Sequence, residues 1–171
     1  NCTVSQDALL GNLGDGYKIA LSGLTGGRVN IGACAVGISR SAMSKTVQHL
    51  LSRKQFGKPL ADLQGLQFRI ADMKIHLDSS ALLVARAATA LSNSPSDSNT
   101  RLFAAIAKCK ATDAAMAIAT DAVQLHGALG YVRSTGVERL MRDAKMLQIV
   151  EGANEVQRAT IARYLFEKAQ T

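Results

Sequence analysis

The chain has 171 residues, 47% of them hydrophobic but only 4% aromatic, with no Trp and two Pro. That length suffices for one domain with a proper core, and an Ala- and Leu-rich, Pro-poor composition favours helices that approach closely. The net charge of +7 admits an anionic partner, yet the basic residues are scattered rather than run together with stacking aromatics, which argues against nucleic acid.

Residues 1–16 are short and turn-rich, and Cys2-Thr3-Val4 reads as the end of a strand from a preceding β domain, followed by a linker. From Tyr17 to Arg53 the pattern is helical, with Ile31, Cys34, Ile38 and Leu50 or Leu51 on one side. Gly23, Gly26, Gly27, Gly32 and Gly37 cost a helix about 1 kcal/mol each against Ala, so they imply close helix contact or a bend near Gly26-Gly27. A second helix carries Leu63, Leu66, Ile70, Met73, Leu77, Ala81, Val84, Ala88 and Leu91 at alternating three- and four-residue steps, an apolar seam of bundle type. A polar linker, Ser92 to Asn99, contains Pro95 and precedes a third helix with Leu102, Ile106, Cys109, Asp113, Met116, Thr120 and Val123 in register. That helix ends near Gly127 and Gly130, a short one covers Val137–Asp143, and a last one runs from Asn154 to Lys168. Asn154 with Gln157 three residues on has the form of a capping box. The expected fold is all-α: residues 17–171 form an antiparallel up-and-down four-helix bundle with a short extra helix.

No stretch approaches ~18 uninterrupted apolar residues, so no membrane span is expected. Cys2, Cys34 and Cys109 are odd in number and far apart, and His49, His76 and His126 form no ligand cluster. Neither disulfides nor a metal is expected. The opening Asn1-Cys2-Thr3-Val4-Ser5 carries no signal pattern and reads as the middle of a longer, non-secreted protein.

The most informative side chain is Glu151, one carboxylate after the apolar run Ile149-Val150 and before Gly152. Its apolar neighbours disfavour hydration of the charged form, Gly152 admits close approach, and the following helix brings N–H groups and a positive dipole end. Those are the parts needed to take a proton from carbon beside a carbonyl. Three further segments stand out: Gly26-Gly27-Arg28-Val29, Arg53-Lys54-Gln55-Phe56-Gly57-Lys58-Pro59-Leu60 with Gln64, and Gln124-Leu125-His126-Gly127-Ala128-Leu129-Gly130-Tyr131. Singly, each has a bland explanation: Arg53 suits a helix C-terminus, and the glycines suit helix stops.

In their order and spacing, from Leu10-Gly11 to Arg163, these segments resemble the C-terminal all-helical domain of the acyl-CoA dehydrogenase family, in its short- and branched-chain group. The resemblance implies an FAD-dependent α,β-dehydrogenation of an acyl-CoA to the trans-2-enoyl-CoA, with Glu151 as the base. Arg28, Gly152 and Arg163 match substrate-site positions. Arg53, Gln55, Phe56, Gln64, Gln124, Gly127 and Ala128 match contacts to the adenosine-diphosphate part of a neighbouring subunit's FAD. Ala153 and Glu155 match the loop beside the FAD of the same chain. It further implies an electron-transfer flavoprotein as acceptor, a homotetramer built as a dimer of dimers, and a bacterial cytoplasmic or mitochondrial-matrix setting. Ala128, Ala153 and Val150 depart from residues usual in the family, namely Gly, Thr or Ser, and Tyr. An acyl-CoA oxidase and a decarboxylating glutaryl-CoA dehydrogenase type share the domain, and a non-catalytic helical binding module is the distant alternative. Because the family builds its flavin site between this domain and two others, the chain alone is expected not to hold FAD.

Overall fold

The computed structural model describes residues 1–170. Three long helices, α1 (Gly16–Ser52), α2 (Gln64–Asn93) and α3 (Ser98–His126), precede a one-turn α4 (Ala128–Tyr131), α5 (Val137–Leu147) and α6 (Asn154–Ala169). The expected all-α class holds. Short connections, 53–63 and 94–97, return each long helix antiparallel to the one before it.

The centre of the molecule is α3, which packs on α1, α2, α5 and α6. Its sequence allows this because its buried positions are mostly small: Ala104, Ala105, Ala107, Ala111, Ala114, Ala115, Ala119 and Ala122, with Thr100 and Thr112. A helix approached from several sides needs small residues on several faces, so the single seam expected from Leu102 to Val123 is not its core face. Of that seam only Cys109 is fully buried; Thr120 is exposed and the others sit at the edge of the core. The α2 seam fits its expectation, with Met73, Leu77 and Val84 buried and Leu66, Ile70, Ala81 and Leu91 against the core. The seam drifts by one residue at two places, burying Ser80 beside the half-buried Ala81 and Ala87 rather than Ala88.

In α1 the buried face is Val29, Gly32, Val36, Ala42, Thr46 and Leu50, and Cys34, expected on that face, is exposed. The helix runs unbroken through Gly26-Gly27, so the bend is not formed; close contact accounts for Gly27 and Gly32, while an added β-carbon at Gly23 or Gly37 would meet nothing within 4 Å. At Gly32 an added β-carbon would lie 3.0 Å from Val84 Cγ2. Among the described residues α1 is long and apolar enough to cross a membrane, although no uninterrupted apolar run pointed to one. Interleaved Gly, Ser and Thr break the run without lowering the average much, and α1 packs on α2 and α3 as a bundle helix does.

Three local differences from the expectations have simple causes. The segment after α1 closes as a small hairpin, β1 (Lys54–Gln55) with β2 (Lys58–Pro59), because Phe56 and Gly57 both adopt positive φ, as a two-residue hairpin turn requires. Cys2-Thr3-Val4 form no strand; no described strand lies beside them to pair with. Asn154 is the first residue of α6 rather than its cap; Ala153 precedes it without a side-chain cap.

Candidate functional site

Glu151 sits in the loop 148–153 between α5 and α6, half-buried, with φ +55, followed by Gly152 at φ +89. A left-handed non-glycine residue costs of order 1–2 kcal/mol and persists where its surroundings hold it. The neck of the loop is closed by the Asn154 N–H donating to the Gln148 carbonyl at 3.1 Å. The Gln157 side-chain amide donates to the carbonyls of Glu151 at 3.3 Å and Gly152 at 3.0 Å. Gly152 is thus required for a reason other than ligand access: a β-carbon there would lie 2.6 Å from Gln157 Nε2, at a φ that L-residues avoid. The start of α6 is also less open than expected, since the Asn154, Val156 and Gln157 N–H groups all donate to carbonyls within the segment.

The Glu151 carboxylate lies against α1 at Gly27, where an added β-carbon would be 2.4 Å from Oε2. Its neighbour on α1 is Arg28. Burial lowers the Arg28 pKa, and the charge of Glu151 opposes that shift, which marks the two groups as an electrostatic pair. Arg28 Nε is buried without a hydrogen-bond partner, an unusual condition for a guanidinium. Arg28 and Arg163 share a cavity of about 300 Å³ with Arg101 and Tyr164, and a larger one of about 830 Å³ reaching Tyr17 and Lys18. The structure therefore brings Glu151, Gly152, Arg28 and Arg163 to one end of the bundle.

The second group gathers elsewhere. Arg53, Gln124, Gly127 and Ala128 line a cavity of about 490 Å³ with His49 and His126, whose rings stack at 4.4 Å. Burial, then the charges of His126 and Arg53, lower the His49 pKa. Gly127 ends α3 at φ +59, ψ −139, a conformation essentially confined to glycine. Gln55 and Phe56 stand exposed on the hairpin, Phe56 87% so, and Gln64 opens α2, also exposed. From Lys108, which touches the Glu151 loop, to Gln124 is about 24 Å along α3 at ~1.5 Å per residue. Ala153 and Glu155 line a third cavity, about 370 Å³, with Asp113 and Arg158. Among the described residues no group of three His, Cys, Asp or Glu is placed to hold a metal ion.

Residues 14–166 match the family model of the acyl-CoA dehydrogenase C-terminal domain. The chain belongs to the acyl-CoA dehydrogenase family. It is 40% identical to the mitochondrial isobutyryl-CoA dehydrogenase of Bos taurus over 168 residues, covering 98% of the chain and 40% of that protein. It is 43% identical to an acyl-CoA dehydrogenase of Bacillus subtilis over 165 residues, covering 96% of the chain and 43% of that protein. The solved butyryl-CoA dehydrogenase of Megasphaera elsdenii superposes with a TM-score of 0.90 at 41% identity, covering 95% of the chain and 42% of that structure. The chain thus spans about 40% of the length of the curated relatives it matches.

In this acyl-CoA dehydrogenase domain the structure adds residues that sequence reasoning passed over. Lys108 is fully buried, and its ammonium donates to the carbonyls of Gln148 (3.2 Å) and Gly152 (2.9 Å) and to Asn154 Oδ1 (2.8 Å). Asp113 accepts from the side chains of Gln148 and Asn154, each at 2.7 Å, and from Arg158. Burial works to raise the Asp113 carboxyl, but those three hydrogen bonds and the Arg158 charge outweigh it and hold the carboxyl below the usual range. The available signal was a lysine within the alanine run Ala104-Ala105-Ile106-Ala107-Lys108, a charge where a small apolar residue would pack.

Proposed function

We propose that this chain is the base-bearing helical domain of an FAD-dependent acyl-CoA dehydrogenase, which converts an acyl-CoA thioester to the trans-2-enoyl-CoA. The observation that carries the reading is the Glu151 carboxylate, held on a left-handed loop and seated against the Gly27 backbone beside Arg28. A carboxylate fixed in this way accepts the α-proton of the thioester, with the Glu151 N–H as one donor to the thioester carbonyl, where negative charge develops. A bound FAD would supply the acceptor for the β-hydrogen, which leaves as hydride.

Arg28 and Arg163 serve the acyl-CoA side, a role consistent with the unpartnered Arg28 Nε and the cavities these residues share. Arg53, Gln55, Phe56, Gln64, Gln124, Gly127 and Ala128 serve the adenosine-diphosphate part of a flavin. A permanently charged guanidinium, an amide and a backbone segment open at glycine form a donor set that suits a pyrophosphate. Their distance from Glu151 along α3 supports the view that they serve the flavin of a neighbouring subunit, while Ala153 and Glu155 serve that of their own chain. The same reading assigns a homotetramer built as a dimer of dimers and a bacterial cytoplasmic or mitochondrial-matrix setting. It also assigns an electron-transfer flavoprotein as acceptor; one solved match, at TM-score 0.91, comes from work on the electron transferring flavoprotein of Acidaminococcus fermentans.

Replacing Glu151 by Gln keeps the side chain's shape and removes the base. The flavin-bound protein is expected to retain its flavin spectrum and lose at least 1,000-fold in acyl-CoA oxidation, on the scale of a lost catalytic group. Retained turnover would remove Glu151 from the mechanism. A solved glutaryl-CoA dehydrogenase complex superposes at TM-score 0.84 and 32% identity, and an acyl carrier protein oxidase at 0.89 and 30%. Carbon dioxide release from a dicarboxyl substrate, or hydrogen peroxide release, would favour those chemistries.

A further inference from the structure

We infer that Lys108 is a positioning residue for the reaction: its buried ammonium is the anchor on which the Glu151 loop is wound. This rests on the reading of Glu151 as the base. The three acceptors of Lys108 all belong to the segment around Glu151: the Gln148 carbonyl at the end of α5, the Gly152 carbonyl directly after Glu151, and Asn154 Oδ1 at the start of α6. An ammonium has three protons, and each has a partner here. The loop therefore encircles one cation, entering and leaving through groups bonded to it, with Glu151 at the apex.

Each surrounding contact ties the same loop down. The backbone bond from Asn154 N to the Gln148 carbonyl closes the neck beneath the ammonium. Thr112, one turn on from Lys108, exchanges hydrogen bonds with the Asn154 side chain at 2.9 and 3.2 Å, and Asp113 holds Gln148 and Asn154 together. Lys108, Thr112, Asn154 and Gln157 are all at most 3% exposed, so water does not compete for these bonds. Burial lowers the Lys108 pKa, with the Asp113 charge among the influences opposing the shift; the site thus keeps a charge at a cost that packing alone does not require. The neighbouring buried positions of α3 are alanines, which would fill the space without that cost.

The Gln148 carbonyl lies at the negative end of α5, so the ammonium also opposes that helix dipole. The bond to the Gly152 carbonyl fixes the peptide plane between Gly152 and Ala153, and with it the exit from the left-handed pair Glu151-Gly152 that aims the carboxylate at Gly27. Lys108 acts on the base through this geometry and touches no reacting atom itself.

The test is Lys108→Met, which keeps the aliphatic stem and removes every donor. Amide hydrogen exchange at Asn154 and Gln157, whose N–H groups donate to the Gln148 and Ala153 carbonyls, is expected to quicken at least tenfold, while exchange in the α1–α2 core, at Val36 and Ala87, stays within threefold. In the flavin-bound protein kcat is expected to fall at least 30-fold with KM within threefold, because the base is misplaced while substrate contacts remain. Unchanged exchange at Asn154 and Gln157, with or without loss of turnover, overturns the anchoring role. Faster exchange with unchanged kcat overturns the positioning role, because turnover then does not depend on the anchored loop. The reading of Glu151 as base fails separately, if Glu151→Gln keeps its turnover. If Lys108→Met does not fold, Asn154→Ala removes one acceptor of the ammonium and its link to Asp113, and is read by the same two measurements.

Discussion

A β-carbon on Gly27 would meet Glu151 Oε2 at 2.4 Å and the carboxyl carbon at 2.7 Å, and the group that must yield is the tip of a flexible side chain. The helix therefore tolerates Ala at this position, and by intrinsic propensity gains up to ~1 kcal/mol from it. Gly27→Ala is expected to keep or raise the melting temperature and to lower acyl-CoA turnover about 100-fold, the scale of a misplacement near 1 Å. Unchanged turnover would show that the carboxylate works from another rotamer. Glu151 and Arg28 were legible in the sequence because each stands among residues that do not explain it: a carboxylate after an apolar run, an arginine after paired glycines. The fit of Gly27 to Glu151 was not legible, because contact between α1 and the α5–α6 loop exists only after packing. Asn154 was misread for the same reason. Its local pattern suits a cap, but its side chain is taken by Lys108, Thr112 and Asp113 from another helix.

At the scale of elements, α6 is attached to α3 chiefly through polar groups, and Asp113 is their junction, bonded to the first residue of α6 and to Arg158 one turn on. Its folded-state pKa is held below the unfolded value, so the stability it contributes is fully present above the unfolded pKa, about 3.9. As pH falls from there through the folded pKa, that contribution is lost. Thermal unfolding from pH 6 to pH 3 should show a falling midpoint, and Asp113→Asn should flatten that fall. At neutral pH the same change should cost about 1–2 kcal/mol from weakened charge-assisted bonds. An equally steep pH dependence in the variant would place the acid sensitivity elsewhere. Legibility of the elements followed the number of packed faces. One-sided α2 shows its burial as a three- and four-residue rhythm, whereas α3 is packed on several sides and hides its core in alanines that carry no periodic signal.

At the scale of the whole molecule, two candidate groups of residues stand some 24 Å apart along α3, and each is open on one side within this chain. Glu151 is only half-buried, Arg53, Gln124 and Gly127 are exposed, and the Phe56 ring is left 87% exposed by the described residues. A ligand as long as FAD, bound from the residues of one group alone, would leave most of its surface in water, whereas tight sites bury most of theirs. Large apolar side chains, Phe68, Ile75 and Leu82 on α2 among them, are more than 60% exposed, more than an isolated soluble domain usually presents. The 171-residue chain by itself is therefore expected to bind no flavin at micromolar concentration and to self-associate. Equilibrium dialysis against FAD with visible absorbance, and light scattering over a dilution series, check the two halves separately. A stoichiometric flavin on a monomer would mean that one chain closes the cofactor site unaided, and would contradict the neighbouring-subunit role of Arg53 and Gln124.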